Sequence, residues 1–414
     1  MSDIVLSASV RQNLLSLQST ADLLSTTQNR LATGKKVNTA LDNPTNFFTA
    51  AALDSRASDI HNLLDGIGNG VQVLQAANTG ITSLQKLVDT AKSVANQVLQ
   101  TTVGYSTKAN LTTTAPTGAG PLGVPGIATD LTNAGTNSLQ GTTLVFKTSG
   151  TSTTTLTISN VAGANNVNSI DGLNAALVAN GVQLQASFNS AGTITFTSSN
   201  EAASQTITKT GTYAAPPVGS ASSVDVSGTA TTGAVTAAVA DVSSQAARAN
   251  LVSQYNNIIQ QINTTSQDAS FNGVNLLGGD TLKLVFNETG KSTLNINGVT
   301  FNQAGLGLAT LASGADFIDN TSANKVLTSL NSASSALRSQ ASTLGSNLSI
   351  VQIRQDFSKN LINVLQTGSS NLTIADTNEE AANSQALSTR QSIAVSALAL
   401  ANQSQQSVLQ LLRT

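Results

Sequence analysis

The two ends of the chain carry matching apolar repeats, and these repeats constrain the fold more than any other feature. From Val10, small or apolar positions recur in alternating steps of four and three residues, which is the spacing of a coiled-coil seam. The N-terminal seam comprises Val10, Leu14, Leu17, Ala21, Leu24 and Leu31, with Gln28 as its polar member. A seam requires a partner, so we expect a second apolar helix to cover it.

The second repeat lies at the opposite end of the chain. Residues 393–412 are equally apolar and contain neither glycine nor proline. The C-terminal seam comprises Ala394, Leu398, Ala401, Val408 and Leu412, around a polar Gln405, and Leu411 lies on the same apolar stripe. We therefore predict that the two termini pair with each other and that the rest of the chain extends from this pair.

Composition argues against several classes of protein. The 19 basic and 21 acidic residues nearly cancel, so no nucleic-acid partner is expected. Aromatic residues make up 3% of the chain and tryptophan is absent, which favours long, thin packing over a deep globular core. The chain has no cysteine and one histidine, His61, which we interpret as a half-exposed helix residue. We expect no catalytic residue, no metal site and no cofactor.

Neither a membrane span nor an ordinary signal peptide is predicted. The longest nearly apolar run, residues 393–401, falls far short of the ~20 residues that cross a bilayer. Asp3 stands where a signal peptide would carry basic residues, and no continuous apolar stretch follows it. If the protein is exported, we expect a route without a cleaved signal peptide.

Most of the chain outside its middle has a helical pattern. We predict helices over residues 7–33, ending at Gly34, over 45–100, over 241–266, and from 322 onward with a polar break at 367–370. A long seam runs along the second helix through Ile67, Val71, Leu74, Ala77, Ile81, Leu84, Val88, Ala91, Ala95 and Val98. Gly66, Gly68, Gly70 and Gly80 each weaken this helix by ~1 kcal/mol, so packing must support it.

The composition changes between Gly104 and Ala240. Five of the six prolines lie there, and threonine, serine and glycine dominate. Alternating patterns predict strands at 142–147, 153–159, 182–188 and 193–198, a helix at 170–179 and, after the insert, a β-hairpin from 281–287 and 292–301.

These patterns predict an α+β fold: a long α-helical coiled-coil rod formed by the paired terminal regions, a small β-hairpin region, and an inserted β-rich outer domain. The expected segments are residues 1–44 and 371–414 for the terminal helices, 45–103 and 241–370 for the helical rod, and 104–240 for the insert.

Both ends resemble bacterial flagellin. The N-terminal motif is Gln28-Asn-Arg-Leu-Ala-Thr-Gly-Lys-Lys-Val-Asn-Thr-Ala-Leu-Asp-Asn-Pro44, and a turn motif, Phe271-Asn-Gly-Val-Asn-Leu-Leu277, precedes the hairpin. The C-terminal motif is Ala401-Asn-Gln-Ser-Gln-Gln-Ser-Val-Leu-Gln-Leu-Leu-Arg413. The resemblance covers about residues 1–103 and 241–414.

This resemblance implies a structural subunit that polymerises into the extracellular flagellar filament for swimming motility. The terminal helices would form an inner tube, the adjoining helices would pack outside it, and the insert would project outward. It further implies an export chaperone, the export apparatus, the filament cap and the hook-filament junction proteins as partners. Contacts in the polymer and the coiled coil are expected at Val10, Leu14, Leu17, Leu24, Leu31, Leu398, Ala401, Val408, Leu411 and Leu412.

Physics points to the same function, because apolar stripes that one chain cannot cover make identical subunits associate into open helical polymers. Three alternatives remain at the level of sequence. A hook-filament junction protein shares both ends in weaker form, and a secreted adhesin would explain the threonine-rich insert without explaining the paired seams. The third is an enzyme within the insert, and the absence of histidine and cysteine from residues 104–240 weighs against it.

Two departures limit the resemblance. Ile374 replaces the first acid of an Ile-x-Asp-x-Asp element of the family, and Val88 and Asp89 replace an arginine and a glutamate that a toll-like receptor reads in many flagellins. Receptor activation is therefore not implied.

Overall fold

The structure is a computed structural model that describes residues 8–114, 130–132, 139–188, 193–212, 214, 220, 222–228 and 233–411. Within these residues the helices are α1 (Ala8–Thr33), α2 (Pro44–Gln100), α3 (Ile170–Ala179), α4 (Val242–Asp268), α5 (Asn320–Thr373) and α6 (Thr377–Leu411). The strands are β1 (Tyr105–Thr107), β2 (Asn110–Thr112), β3 (Thr143–Lys147), β4 (Thr153–Ile158), β5 (Asn166–Val167), β6 (Leu184–Phe188), β7 (Ile194–Ser198), β8 (Thr206–Thr208), β9 (Ser223–Gly228), β10 (Val235–Thr236), β11 (Val239–Ala240), β12 (Thr281–Val285) and β13 (Thr293–Asn297). The predicted α+β class, with long helices from both ends of the chain and a β-rich middle, is confirmed.

The chain forms two compact units. The first comprises the described parts of Met1–Val71, Lys283–Asn295 and Ser349–Thr414, and the second those of Gln72–Leu282 and Ile296–Leu348. In the first unit, the beginning of α2 packs against the end of α5 through a small apolar cluster. Its buried members are Ala57, Ile60, Ile362 and Leu365, with Leu53, Leu64 and Leu361 packed against them.

Short-range capping explains where the helices begin and end. Gly34 adopts a φ of +67°, which ends α1 in the left-handed conformation that glycine tolerates. Pro44 occupies the first position of α2, and the side chain of Asn43 accepts a hydrogen bond from the Asn46 amide at 3.0 Å. Asp241 caps α4 by accepting from the Ser244 amide at 3.1 Å.

The break expected at residues 367–370 lies instead after Thr373. The hydroxyl of Thr373 donates to the Ser369 carbonyl at 3.1 Å, and Ser369 itself is buried, so the polar stretch remains helical. The helix stops at residues 374–376, where Asp376 starts α6 by accepting from the Asn378 amide at 2.9 Å. The polar composition was a poor guide here because serine and threonine hydroxyls bond back to the helix they belong to.

The long seam predicted for α2 is buried. All ten of its residues are at most 8% exposed. Two of the four glycines in this helix lie close to neighbouring side chains. A Cβ at Gly70 would clash with the end of the Leu284 side chain, and one at Gly80 would lie 2.6 Å from the Ala269 Cβ and 2.7 Å from Leu277 Cδ1. Gly66, by contrast, has open space beside it, so the helix also carries a glycine that close packing does not require.

The insert has its own core between two sheets. The four-stranded sheet has the order β10-β2-β7-β6, and the five-stranded sheet has the order β5-β4-β3-β9-β8. Pairing is antiparallel except for β4 with β5 and β8 with β9. Phe146 of one sheet meets Phe196 of the other edge to face, with 5.4 Å between ring centres. The four predicted strands are β3, β4, β6 and β7, and the predicted helix is α3.

A buried arginine in the second unit joins three helix ends where the insert leaves the helical part. Arg248 of α4 is 1% exposed. Its guanidinium donates to the Thr102 and Phe317 carbonyls at 3.2 and 3.0 Å and to the Asn320 side chain at 3.2 Å. Burial lowers the pKa of Arg248, and the nearby Asp319 carboxylate opposes that shift. Burial also raises the pKa of Tyr105, the first residue of β1.

Candidate self-association surface

The helices from the two ends of the chain pack along each other in the first unit. The last turn of α1 meets the first turn of α6, so the two helices run antiparallel. The predicted pairing of the two terminal helices is confirmed.

The contact line on α1 is the row of its buried and half-buried residues. Most of them recur in steps of three and four, namely Val10, Asn13, Leu17, Thr20, Leu24, Thr27 and Arg30, and Ala21 beside Thr20 is half-buried as well. The line on α6 has the same spacing: Glu380, Ser384, Leu387, Gln391, Ala394, Leu398 and Ala401. Both lines therefore mix apolar and polar side chains, which makes the pair of helices a weak apolar core by itself.

One end of the pair is held by an ion pair and by backbone hydrogen bonds. Arg30 Nη1 lies 3.3 Å from Glu380 Oε1, and the Glu380 side chain is 11% exposed. Beside it, the Lys36 amide donates to the Thr373 carbonyl at 2.7 Å, and the Ala375 amide donates to the Gly34 carbonyl at 3.0 Å. These backbone bonds, which we call the backbone clip, join the segment after α1 to the segment before α6.

The turn between α1 and α2 is fixed by Asp42. Its carboxylate accepts from the Thr39 and Asn38 amides at 2.8 and 2.9 Å. These two backbone hydrogen bonds lower the pKa of Asp42, and the bond from Thr39 has the larger effect. The neighbouring Leu41 is 95% exposed on this turn.

The predicted contact residues fall into three groups. Val10, Leu17, Leu24, Leu398 and Ala401 lie on the contact lines. Leu14 and Leu31 lie off the contact within one chain and are 47% and 40% exposed. Val408 and Leu411 lie in α6, but their side chains are outside the described part, and Leu412 is outside the described residues.

Further apolar side chains on both helices face away from the pair. On α1, Leu15 and Leu23 are 69% and 55% exposed. On α6, Ile393, Val395 and Leu400 are 51–70% exposed. Each terminal helix thus carries apolar residues in several directions, which is typical of a helix that is surrounded by neighbours. In the sequence, the corresponding signal is the presence of leucines outside the seam, and a pattern that contains one apolar stripe does not include them.

The first unit has another exposed apolar stripe on α5. Ile350, Ile353, Phe357 and Val364 follow steps of three, four and seven, and they are 42–69% exposed. A second face of the same helix is buried at Val351 and Leu365. This helix therefore has two apolar faces, of which the chain itself covers one.

The described residues offer little for other chemistry. No group of three or more histidine, cysteine, aspartate or glutamate side chains in them could hold a metal ion. Across the same residues, every helix is too short or too polar to span a bilayer.

Comparisons with known proteins match both ends of the chain. The family model of the bacterial flagellin N-terminal helical region matches residues 5–114, and that of the C-terminal helical region matches residues 327–412. Both ends of the chain are therefore similar to bacterial flagellin. The two matched regions contain α1, α2, most of α5, and α6, so they include both paired terminal helices.

Curated flagellins are similar to this chain over part of their length. Flagellin FljK of Caulobacter vibrioides is 33% identical over 179 residues, which is 42% of this chain and 64% of that protein. Flagellin FljM of the same organism is 32% identical over the same extents. Flagellin A of Rhizobium meliloti is 32% identical over 124 residues, 30% of this chain and 27% of that protein. The chain spans about 64% of the length of the Caulobacter flagellins that it matches.

Proposed function

We propose that this protein is a structural subunit that polymerises into the bacterial flagellar filament and that it has no enzymatic role. One observation carries the proposal: the terminal helices pair with each other and still expose leucines on their other sides. Leu15 and Leu23 remain 69% and 55% exposed after α6 has covered its face of α1. The match of both ends of the chain to flagellin helical regions supports the same function.

The physical reason is the cost of leaving these side chains in water. Burying a leucine side chain stabilises a contact by roughly 1.5–3 kcal/mol. A single chain has one α1 and one α6, and each covers one face of the other. The remaining faces are covered when copies of the same pair pack side by side, and repeated contacts between unlike faces of identical subunits build an open helical polymer.

The finer assignments follow from the family and belong to this proposal. The α1 and α6 segments would form the inner tube, and the stripe on α5 would contact neighbouring subunits outside it. Ile353 and Phe357 give that stripe its largest exposed side chains. The polymer would be extracellular, with an export chaperone, the export apparatus, the filament cap and the hook-filament junction proteins as partners, and export would need no cleaved signal peptide.

The direct test is the concentration of unpolymerised subunits at equilibrium. We expect Leu15→Gln and Leu23→Gln each to raise it by about tenfold or more, because ~1.4 kcal/mol per contact is a factor of ten. Glutamine has a helix propensity close to that of leucine, so α1 itself should be preserved. The matched control is Val178→Gln on α3 of the insert, which is 76% exposed and should change the value by about twofold or less. Equal values for Leu15→Gln and Val178→Gln would refute the proposal.

In cells, electron microscopy distinguishes a filament subunit from a junction protein. Cells that lack this gene should keep hooks and junctions and lose filaments made from this subunit. Loss of the junction with filament subunits secreted into the medium would point to the hook-filament junction protein.

A further inference from the structure

The contact line on α1 repeats every seven residues, so apolar contacts alone do not define its register with α6. On this line, Val10, Leu17 and Leu24 form one row at intervals of seven, and Asn13, Thr20 and Thr27 form another. A slip of α1 by one heptad places Leu24 where Leu17 was and Thr27 where Thr20 was. On α6, Leu387, Ala394 and Ala401 repeat at the same interval. Some other feature must distinguish the native register from the slipped one.

The described contact lines contain one acid and one base. They are Glu380 and Arg30, and they form the ion pair at 3.3 Å. The Glu380 side chain is 11% exposed, so its carboxylate is largely removed from water and depends on the guanidinium for compensation. Their position also suits the helix dipoles, since the arginine lies in the last turn of α1 and the glutamate in the first turn of α6.

We propose that the Arg30–Glu380 ion pair is a register lock for the two terminal helices. After a slip of one heptad, the residue opposite Glu380 would be Leu23 or Val37, and Arg30 would face Leu387 or Thr373. The carboxylate would then be buried beside an uncharged residue, which is costly, whereas the leucine and threonine rows would fit almost as well as before. The ion pair therefore penalises the alternative register that the heptad pattern permits.

The backbone clip at the same end opposes the slip as well, and the two devices can be separated by mutation. The clip uses main-chain groups of residues 34–36 and 373–375, which side-chain changes at positions 30 and 380 leave in place. The inference goes beyond the proposed function, because it concerns which residue of α1 meets which residue of α6 within one chain.

Disulfide trapping reads the register directly, because the chain has no cysteine of its own. Leu17 is the fifth member of the α1 contact line when counted back from Arg30, and Ala394 is the fifth member of the α6 contact line when counted forward from Glu380. Leu17→Cys with Ala394→Cys therefore reports the native register. Leu24→Cys with Ala394→Cys reports a slip of one heptad. In the native register, residues 24 and 394 are displaced from each other by about 10 Å along the helices, which is beyond the reach of a disulfide. Cross-links within one chain are separated from those between chains by size on a denaturing gel.

The full-length parent chain should form the native cross-link and little of the slipped one. In the Arg30→Leu/Glu380→Leu background, we expect the yield of the slipped cross-link to rise roughly tenfold while the helix content by circular dichroism is retained. Leucine at both sites keeps the seam apolar, so the helices still pair. The exchanged pair, Arg30→Glu/Glu380→Arg, should return the slipped cross-link to the parent level.

The matched control is the ion pair between Arg56 and Glu288, whose side chains lie 2.7 Å apart. Neither residue belongs to the contact lines. Arg56→Leu/Glu288→Leu should leave both reporters at parent levels. Two results would overturn the proposal. In the first, the yield of the slipped cross-link in the Arg30→Leu/Glu380→Leu chain stays at the parent level, which assigns the register to the backbone clip. In the second, the chain with the exchanged pair gives as much slipped cross-link as the chain with the leucine pair. Failure to polymerise with an intact native cross-link would count against the filament function alone.

Discussion

Arg248 shows how much of this structure depends on contacts that local patterns do not encode. Sequence periodicity places it on a helix, and nothing in its neighbours marks it as buried. Its acceptors lie 69, 72, 146 and 147 residues away along the chain. Three of them are backbone carbonyls at helix ends, and any residue type provides those. Such a site becomes visible only when the three helix ends are brought together.

Replacing Arg248 by methionine should destabilise the second unit strongly. The change leaves the Thr102 and Phe317 carbonyls without their donor and removes the positive charge near the buried Asp319, and we expect a loss of roughly 3–5 kcal/mol in the free energy of unfolding. Urea unfolding of the unpolymerised chain measures this free energy. Arg338→Met is the control, because Arg338 is exposed and its replacement should stay within ~0.5 kcal/mol. Equal effects of the two substitutions would remove Arg248 from its structural role.

Tyr255 gives the second unit a sensitivity to alkali. It is 1% exposed, and burial raises its pKa from the ordinary 10.0 to about 12. The unfolded chain therefore loses this proton at a lower pH than the folded chain does, so stability falls as the pH rises from 10 towards 12. Below that window the tyrosine is neutral in both the folded and the unfolded chain, so its titration does not lower the stability.

The Tyr255→Phe chain should lose less stability in this window than the parent. The measurement is the free energy of unfolding at about pH 9 and about pH 11, each for both chains. Tyr105, whose pKa is also raised by burial, should preserve part of the alkaline loss in the variant. An identical pH dependence of the two chains would mean that Tyr255 is not the group that titrates.

Among the elements, length and regularity decide what the sequence predicts. The seam of α2 has ten members in register, and the strands β3, β4, β6 and β7 have five or six residues each, enough for a pattern to be recognised. The strands β5, β10 and β11 have two residues each, and they exist because neighbouring strands supply hydrogen-bond partners. For the candidate surface, the same reasoning finds the seam and misses Leu15, Leu23 and the α5 stripe, because an exposed apolar residue and a buried one look alike in sequence.

The glycines of α2 separate intrinsic helix propensity from packing. Gly66→Ala should stabilise the folded chain by ~0.5–1 kcal/mol, because open space surrounds the position and alanine favours the helix. Gly80→Ala should instead destabilise it by ~1–3 kcal/mol, since the new methyl group would lie 2.6 Å from the Ala269 Cβ. Thermal unfolding of the two single variants compares them. Stabilisation by both would show that α2 and the segment at Ala269 do not pack closely.

At the scale of the whole molecule, the insert is built as a separable part. Its buried core consists of residues between Ala109 and Val226 and contains none from α2, α4 or α5. The strands that enter and leave it pair with each other, Tyr105 opposite Ala240, and the Asp241 amide donates to the Gly104 carbonyl at 3.0 Å. The four partners of the Arg248 side chain all lie outside the insert.

We therefore expect a chain that lacks residues 106–239 to fold and to polymerise. Tyr105 and Ala240 already face each other as a strand pair, so an Asn-Gly turn can join them without moving either helix. The deletion removes two residues that contact the start of α5: Ser204, whose hydroxyl donates to Asp319, and Glu201, which accepts hydrogen bonds from Asn320, Thr321 and Asn324. The Ser322 amide still donates to the Asp319 carboxylate at 2.9 Å, and water can replace the partners that Glu201 provided, because these three residues are not buried. The concentration of unpolymerised subunits should stay within about twofold of that of the full chain, which corresponds to ~0.5 kcal/mol.

The same substitution that tests the polymer contact serves as the control for this deletion. Leu15→Gln introduced into the shortened chain should raise the unpolymerised concentration about as much as it does in the full chain, because α1 and the insert share no core. A shortened chain that unfolds cooperatively and has the expected helix content, yet forms no filament, would place subunit contacts in the insert. The exposed faces of the terminal helices would then be only part of the polymer interface. In that case Leu15→Gln in the full chain would have to raise the unpolymerised concentration less than the deletion does.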